Sequence, residues 1–237
     1  MALYTAQAVR ANIRNREGRR IFYLGKDDRL TPGAKDFLRE NSIEIVPAEK
    51  AGHPYKTLRG AVFEKKPEDM THLNGDFLVE KTHPRIAFRG QMDTLQALLL
   101  LAQREAREQG EQEIQKNLGQ CLDYSRRMLS CDVLEEPLPE VSLGGLTEEA
   151  LRSHSHNPQK YYGQPHFMPE SADSRTLLLV NLCRTAARSA ELAACNAFRD
   201  REGICTRADL VQGLNRMSSF LWILEIRLKA GKEASHG

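Results

Sequence analysis

The chain has 237 residues, with 34 Lys plus Arg against 32 Asp plus Glu, a formal net charge of +2. That near balance argues against a protein that grips nucleic acid through a lopsided overall charge. A mean hydropathy of −0.52, with Ala97 to Ala102 as the longest apolar run, leaves no window near the roughly 18 apolar residues of a membrane span. The opening MALYTAQAVRAN lacks the apolar centre of a secretory signal. The expectation is a soluble, cytoplasmic protein that engages neither nucleic acid nor membrane.

The length allows one large domain or two small ones. Cysteines stand at 121, 131, 183, 195 and 205, an odd count without a Cys-x-x-Cys pair. All but Cys205 fall in helix-like stretches, so they read as reduced apolar packing residues, not as a disulfide or zinc framework. Aromatic residues are 6%, low for a β-sandwich, and abundant Leu, Ala, Arg and Glu lean the composition toward helix.

In chain order, a short helix is expected at about Thr5 to Asn15 and a strand at Arg19 to Leu24, followed by a turn at Gly25-Lys26-Asp27-Asp28. Thr31-Pro32 is a helix start, with Thr as cap and Pro at the first helical position; that helix should end near Asn41. A second strand follows at Ser42 to Val46, and 47–60 reads as a loop. Residues 1–84 thus form a small α/β module. From Pro84 the pattern changes. Ile86 to Gln109 is a long helix with Phe88, Met92, Leu95, Leu99 and Ala102 on one stripe, widened by Leu98, Leu100 and Leu101. A second helix runs over Glu111 to Val133, a short capped one begins at Thr147, and a polar His/Tyr/Pro loop covers 153–170. A third long helix spans about Ser171 to Asp200, and a fourth runs from Thr206 to near Gly231. The expectation for 85–237 is an up-and-down bundle of five helices, and the protein as a whole is mainly α.

Arg184, Arg188 and Glu191 recur at i, i+4 and i+7 on one helix face. Two guanidiniums one turn apart make a clamp for a polyphosphate, since each is planar and always charged. The same spacing also serves an ordinary solvated face. Asn215 and Ser219 are one turn apart on the last helix. Asp93, a lone carboxylate beside an apolar stripe, calls for a cationic partner, and Arg184 is the candidate. His154, His156 and His166 share one loop, but no Cys or carboxylate stands at ligand spacing; a loop covering a large planar ligand is the preferred reading. Trp222, with Phe220, Leu221, Ile223 and Leu224, makes the last helix apolar all round, which suits bundle core, a subunit interface or a pocket wall.

At these residues the sequence resembles the corrinoid adenosyltransferases. The PduO-type family carries RTxxRRAE on one helix and NRLSD on the last; here the text is RTAARSAE (184–191) and NRMSS (215–219). Gly90-Gln91-Met92-Asp93 matches the family's Gly-x-x-Asp, and His166-Phe167-Met168-Pro169-Glu170 loosely matches its corrin-facing loop. The ethanolamine-utilisation (EutT-type) branch is closer. It shares Arg29-Leu30-Thr31-Pro32, Lys65-Lys66-Pro67, Thr71-His72-Leu73, Pro84-Arg85 and Phe88-Arg89, in order over nearly the whole chain.

The resemblance implies transfer of the 5′-deoxyadenosyl group of ATP to cob(I)alamin with release of triphosphate. Cobalt(I) attacks the 5′ carbon, no proton moves, and the protein aligns the reactants and neutralises the leaving group. It implies that Arg184 and Arg188 hold phosphates, that Asp93 pairs with Arg184, and that Glu191 and Asn215 contact ATP or keep the arginines in register. Lys65, Lys66, Thr71 and Lys81 would be further ATP contacts, while His166, Phe167, Met168 and Trp222 would face the corrin. It also implies a homotrimer, magnesium accompanying ATP, a cob(II)alamin reductase and ethanolamine ammonia-lyase as partners, and a setting inside a bacterial microcompartment. Three departures stand out. The family's Gly-rich phosphate loop is absent, its final Asp is Ser219, and His53 stands without the Cys-Cys-x-x-Cys cluster of some branch members, so no iron or zinc site is expected. The first two departures fit a rival reading, a non-catalytic corrinoid or ATP chaperone; a structural partner protein is a further alternative.

Overall fold

The computed structural model describes residues 2–16, 18–48, 55–63, 65–75, 77–140 and 142–234; His53 lies outside them. The chain divides into two compact units, Met1–His83 and Pro84–Gly237.

In the first unit β1 (Leu3–Tyr4) leads into α1 (Ala6–Ala11), capped by the Thr5 hydroxyl. The helix expected to Asn15 stops early. Asn12 ends it by donating its side chain to the Ala8 carbonyl at 2.8 Å, and Arg14–Arg16 becomes β2, antiparallel to β3 (Arg19–Leu24). After β4 (Arg29–Leu30), α2 (Pro32–Glu40) starts as the Thr-Pro pair dictates, with the Thr31 hydroxyl accepting from the Ala34 N–H. β5 (Glu44–Pro47) then returns parallel to β3, which completes a β-α-β unit with sheet order β2-β3-β5. Val9, Ile13, Ile21, Phe22, Ala34, Leu38 and Ile43 are buried, the apolar sides of two helices and a strand. The stretch read as loop contains β6 (Tyr55–Thr57), which joins β7 (Val62–Phe63), β8 (Met70–Asn74) and β9 (Phe77–Glu80) in a sheet ordered β7-β6-β9-β8. The turn between β8 and β9 holds Gly75 at φ 49°, where a Cβ would collide with the Asn15 carbonyl oxygen, so only glycine fits.

The second unit is built on four long helices: α3 (Pro84–Glu108), α4 (Gln112–Leu134), α7 (Arg175–Ala197) and α8 (Ala208–Ala234). The short α5 (Glu148–His156) packs on α8 as a fifth, and α6 (Pro158–Tyr162) follows it. The loop expected at 153–170 is therefore partly helical. Contacts fix the directions. Phe88 meets Phe198 edge-on at 5.4 Å, and Glu105 pairs with Arg175 at 3.4 Å, so α3 and α7 run antiparallel. Arg184 with Glu225 and Asn215 with Glu191 make α7 and α8 antiparallel. Arg227 with Glu113 at one end and Asp209 with Leu138 at the other set α8 against α4. The result is the expected up-and-down bundle, α4-α3-α7-α8, with opposed neighbours. Its centre is apolar: Phe88, Met92, Leu95, Leu99 and Ala102 from α3 meet Val180, Cys183 and Ala187 from α7 and Leu221 and Leu224 from α8. Cys121, Cys131 and Cys183 lie buried as free thiols.

Candidate functional site

Midway along α7 and α8 the bundle opens into a pocket of about 620 Å³. Asn181, Arg184 and Arg188 line it from α7, Ser218, Ser219 and Trp222 from α8, and His166 to Pro169 with Ser155 and His156 from the segment between. Helical spacing brings the first two groups together. Asn181, Arg184 and Arg188 follow one another at i, i+3 and i+7, and Ser218 and Trp222 at i and i+4. The serines are tied down, each donating to the Asn215 carbonyl.

Arg184 is held on three sides. Its Nε donates to Glu225 Oε1 at 3.0 Å, its Nη2 donates to Asn181 Oδ1 at 2.6 Å, and its guanidinium lies 5.8 Å from the Trp222 ring. Glu225 is wholly buried. Burial pushes its carboxyl up to about 7 from an ordinary 4.5, against the pull of Arg184. The expected Asp93–Arg184 pair does not form within one chain. Within the chain the counter-charge is Glu225 on the adjacent helix, while Asp93 sits on the exposed side of α3 and has no partner among the described residues. The signal for Glu225 was present: it is the single acid inside the apolar run Phe220 to Leu228.

Arg188 is exposed, lines the pocket, and makes no ion pair among the described residues. A few residues along α7, Glu191 accepts from Asn215 Nδ2 at 3.1 Å, and Asn215 Oδ1 accepts from Arg216 at 2.7 Å. Arg216 continues to Glu148 at 3.1 Å, where Gln212 also donates. The Gln212 hydrogen bond, reinforced by Arg216, holds the Glu148 carboxyl below its usual range. The chain of polar contacts fastens the start of α5 to α8.

Next to Arg184 stands an aromatic group centred on Trp222. The His166 ring stacks on Trp222 at 5.8 Å and 5°, and Phe167 packs on the same indole at 5.1 Å and 29°. Lys229 Nζ lies 5.4 Å from the Phe167 ring and pairs with buried Asp173 at 2.7 Å; Asp173 also accepts from the Glu170 N–H, which secures the loop. Met168 is 83% exposed at the rim. His154, which lies in α5, stacks on Tyr161 at 3.8 Å and shares a hydrogen bond with Tyr162 at 2.8 Å. It belongs to a tyrosine cluster, and no group of three His, Cys, Asp or Glu side chains converges among the described residues.

Lys65, Lys66, Thr71 and Lys81 belong to the first unit. Lys65 and Lys66 are exposed between β7 and β8, and Thr71 pairs with Val79 across β8 and β9. Lys81 lies 3.9 Å from Glu68.

The helical bundle thus has a mid-length pocket with one oriented guanidinium, one that makes no ion pair among the described residues, and a stack of rings beside them, an arrangement that suits an anionic ligand next to an apolar, planar one. The family model for cobalamin adenosyltransferase matches residues 61–228, and the chain belongs to that family. It is 32% identical over 246 residues to the corrinoid adenosyltransferase EutT of Salmonella typhimurium (strain LT2), covering 92% of this chain and 89% of the relative. It is 31% identical over 245 residues, with the same coverage, to the corrinoid adenosyltransferase EutT of Escherichia coli (strain K12). No helix among the described residues is long and apolar enough to cross a membrane.

Proposed function

We propose that this protein transfers the 5′-deoxyadenosyl group of magnesium-bound ATP to cob(I)alamin, forming the cobalt–carbon bond as the C5′–O bond breaks and triphosphate leaves. One observation carries the reading: a single pocket collects Arg184, Arg188 and the His166–Trp222–Phe167 stack. The guanidiniums suit the triphosphate, whose charge becomes that of a leaving group in the transition state. The stacked rings and Met168 suit the corrin, with Phe167 displacing its lower ligand. Glu191 and Asn215 act on the edge of this site by keeping α7 and α8 in register. The roles given to Lys65, Lys66, Thr71 and Lys81 rest on the resemblance alone.

The broader setting is part of the same proposal: a homotrimer, cobalt reduced by a separate cob(II)alamin reductase, product delivered to ethanolamine ammonia-lyase, and a cytoplasmic or microcompartment location. Exposed Leu100 and Leu101 on α3, and Leu182 and Leu192 on α7, support assembly with further copies. Exposed Asp93 lies on α3, which packs against α7, so a neighbouring copy is its proposed partner.

The test mixes the protein with magnesium, ATP and chemically reduced cobalamin. The expected result is the adenosylcobalamin spectrum with stoichiometric triphosphate; an unchanged spectrum overturns the reading. After chelation magnesium alone should restore activity, and a requirement for iron or zinc overturns the metal assignment.

A further inference from the structure

Glu225 is an expensive residue to keep where it is. It is completely buried among Leu221, Leu224 and Leu228, and its Oε2 makes no hydrogen bond although no solvent reaches it. A leucine there would avoid both penalties, since apolar replacement of buried ion pairs is often neutral or stabilising. What the carboxylate does is confined to Arg184. The guanidinium has Nε on Glu225 and Nη2 on Asn181, and among the described residues Nη1 alone has no acceptor. The flat group also lies near the Trp222 ring, so its plane and its free edge are both set before any ligand arrives.

We propose that Glu225 is a positioning residue for Arg184, fixing the guanidinium so that its Nη1 edge is presented to a polyphosphate in the pocket between α7 and α8. The inference rests on the reading of this pocket as the ATP site, and it adds a group that never touches substrate. An arginine free to swing about its four-bond stem loses rotamer freedom each time it binds a phosphate; one already clamped at Nε and Nη2 does not. Arg188, which has no such clamp, is the adaptable half of the pair.

The experiment compares Glu225→Leu and Glu225→Gln in adenosyl transfer, varying ATP at saturating cob(I)alamin, with melting temperature measured alongside. Glu225→Leu should raise KM for ATP about tenfold, the scale of one charge-assisted hydrogen bond, with kcat within about threefold and the fold retained. Glu225→Gln keeps an oxygen for the Nε–H and should stay within about threefold of the native KM. In an Arg184→Ala background Glu225→Leu should have no further effect on KM, because the two residues act as one unit.

An inactive native protein overturns the reading of the pocket itself. An active native protein with an unchanged KM in Glu225→Leu overturns the positioning role, as does a Glu225→Gln variant equally impaired, or additivity with Arg184→Ala. If Glu225→Leu does not fold, the Gln variant and its Arg184→Ala combination decide alone, by the same limits.

Discussion

Two arginine groups in the bundle meet opposite fates. Near the end of α4, Arg85 and Arg89 converge on Asp132: Arg85 Nε at 3.0 Å to Oδ1, and Arg89 Nε at 2.6 Å to Oδ2 of a carboxylate with no exposure at all. Arg207 completes that end, bidentate to Asp209 and donating to the Cys131 and Glu136 carbonyls. Burial alone would raise the Asp209 carboxyl, but hydrogen bonds from Arg207 and from the Leu138 N–H outweigh it and hold it low. In the α7–α8 pocket the accounting differs. Arg184 meets a single carboxylate oxygen and Arg188 meets none among the described residues. The three arginines at one end all meet carboxylates, whereas of the two at mid-length only Arg184 does among the described residues. The residue type is the same, and acceptor supply separates a staple from a binding group.

The sharpest way to break that contrast is Asp132→Ala. It removes the buried carboxylate that two largely buried guanidiniums share, and removing one partner of such a cluster costs about 3–5 kcal/mol. Melting temperature should fall by roughly 10 °C on the scale of 2–4 °C per kcal/mol for a chain of this size. A fall of a degree or two means the end is not a staple.

The second effect is a pH dependence. Glu225 has its folded carboxyl raised to about 7 from an unfolded 4.5. Its stabilising contribution is therefore fully present below 4.5 and is lost as pH rises through 7, because the folded state holds the proton longer. A shift of that size corresponds to about 3 kcal/mol at most. Between these limits the native chain should lose stability relative to Glu225→Leu, as followed by denaturant unfolding at stepped pH. A constant gap between the two proteins contradicts the burial argument.

The third is Arg188→Ala. Loss of a charge-neutralising donor should slow transfer about a hundredfold, equivalent to about 2.7 kcal/mol. Melting temperature and oligomeric state should stay unchanged, since Arg188 makes no ion pair among the described residues. Near-native turnover removes it from the site, and a large loss of stability moves it into the staple class.

The contrast also explains what could be read in advance. The bundle was legible because α3, α4, α7 and α8 each repeat apolar residues at helical period, and α2 because Thr31-Pro32 is a local instruction. The Arg184–Arg188 face was legible for the same reason. The strands β6 to β9 were not, since each has two to five residues, too few to establish alternation. The partner of Arg184 was missed because pairing is a tertiary fact. Asp93 and Glu225 are both lone acids beside apolar stripes, and only helix packing decides which one lies within 3.0 Å of the guanidinium. Asp132 went unnoticed because nothing near Cys131 in the sequence marks it as the acceptor for residues more than forty positions earlier.

The position of the pocket along its helices has a consequence of its own. Arg184 lies near the middle of Arg175–Ala197, and Trp222 near the middle of Ala208–Ala234. Many phosphate sites rely on the open amide groups and the partial positive charge at a helix N-terminus. Here both termini are turns away, and the opposed α7 and α8 cancel each other's macrodipoles. The helix end that does reach the pocket, at Ser155 and His156, is the C-terminus of α5 with its partial negative charge, so an anion there would depend on side-chain charge. Its affinity should therefore respond steeply to ionic strength, as an interaction built on exposed and half-buried guanidiniums must.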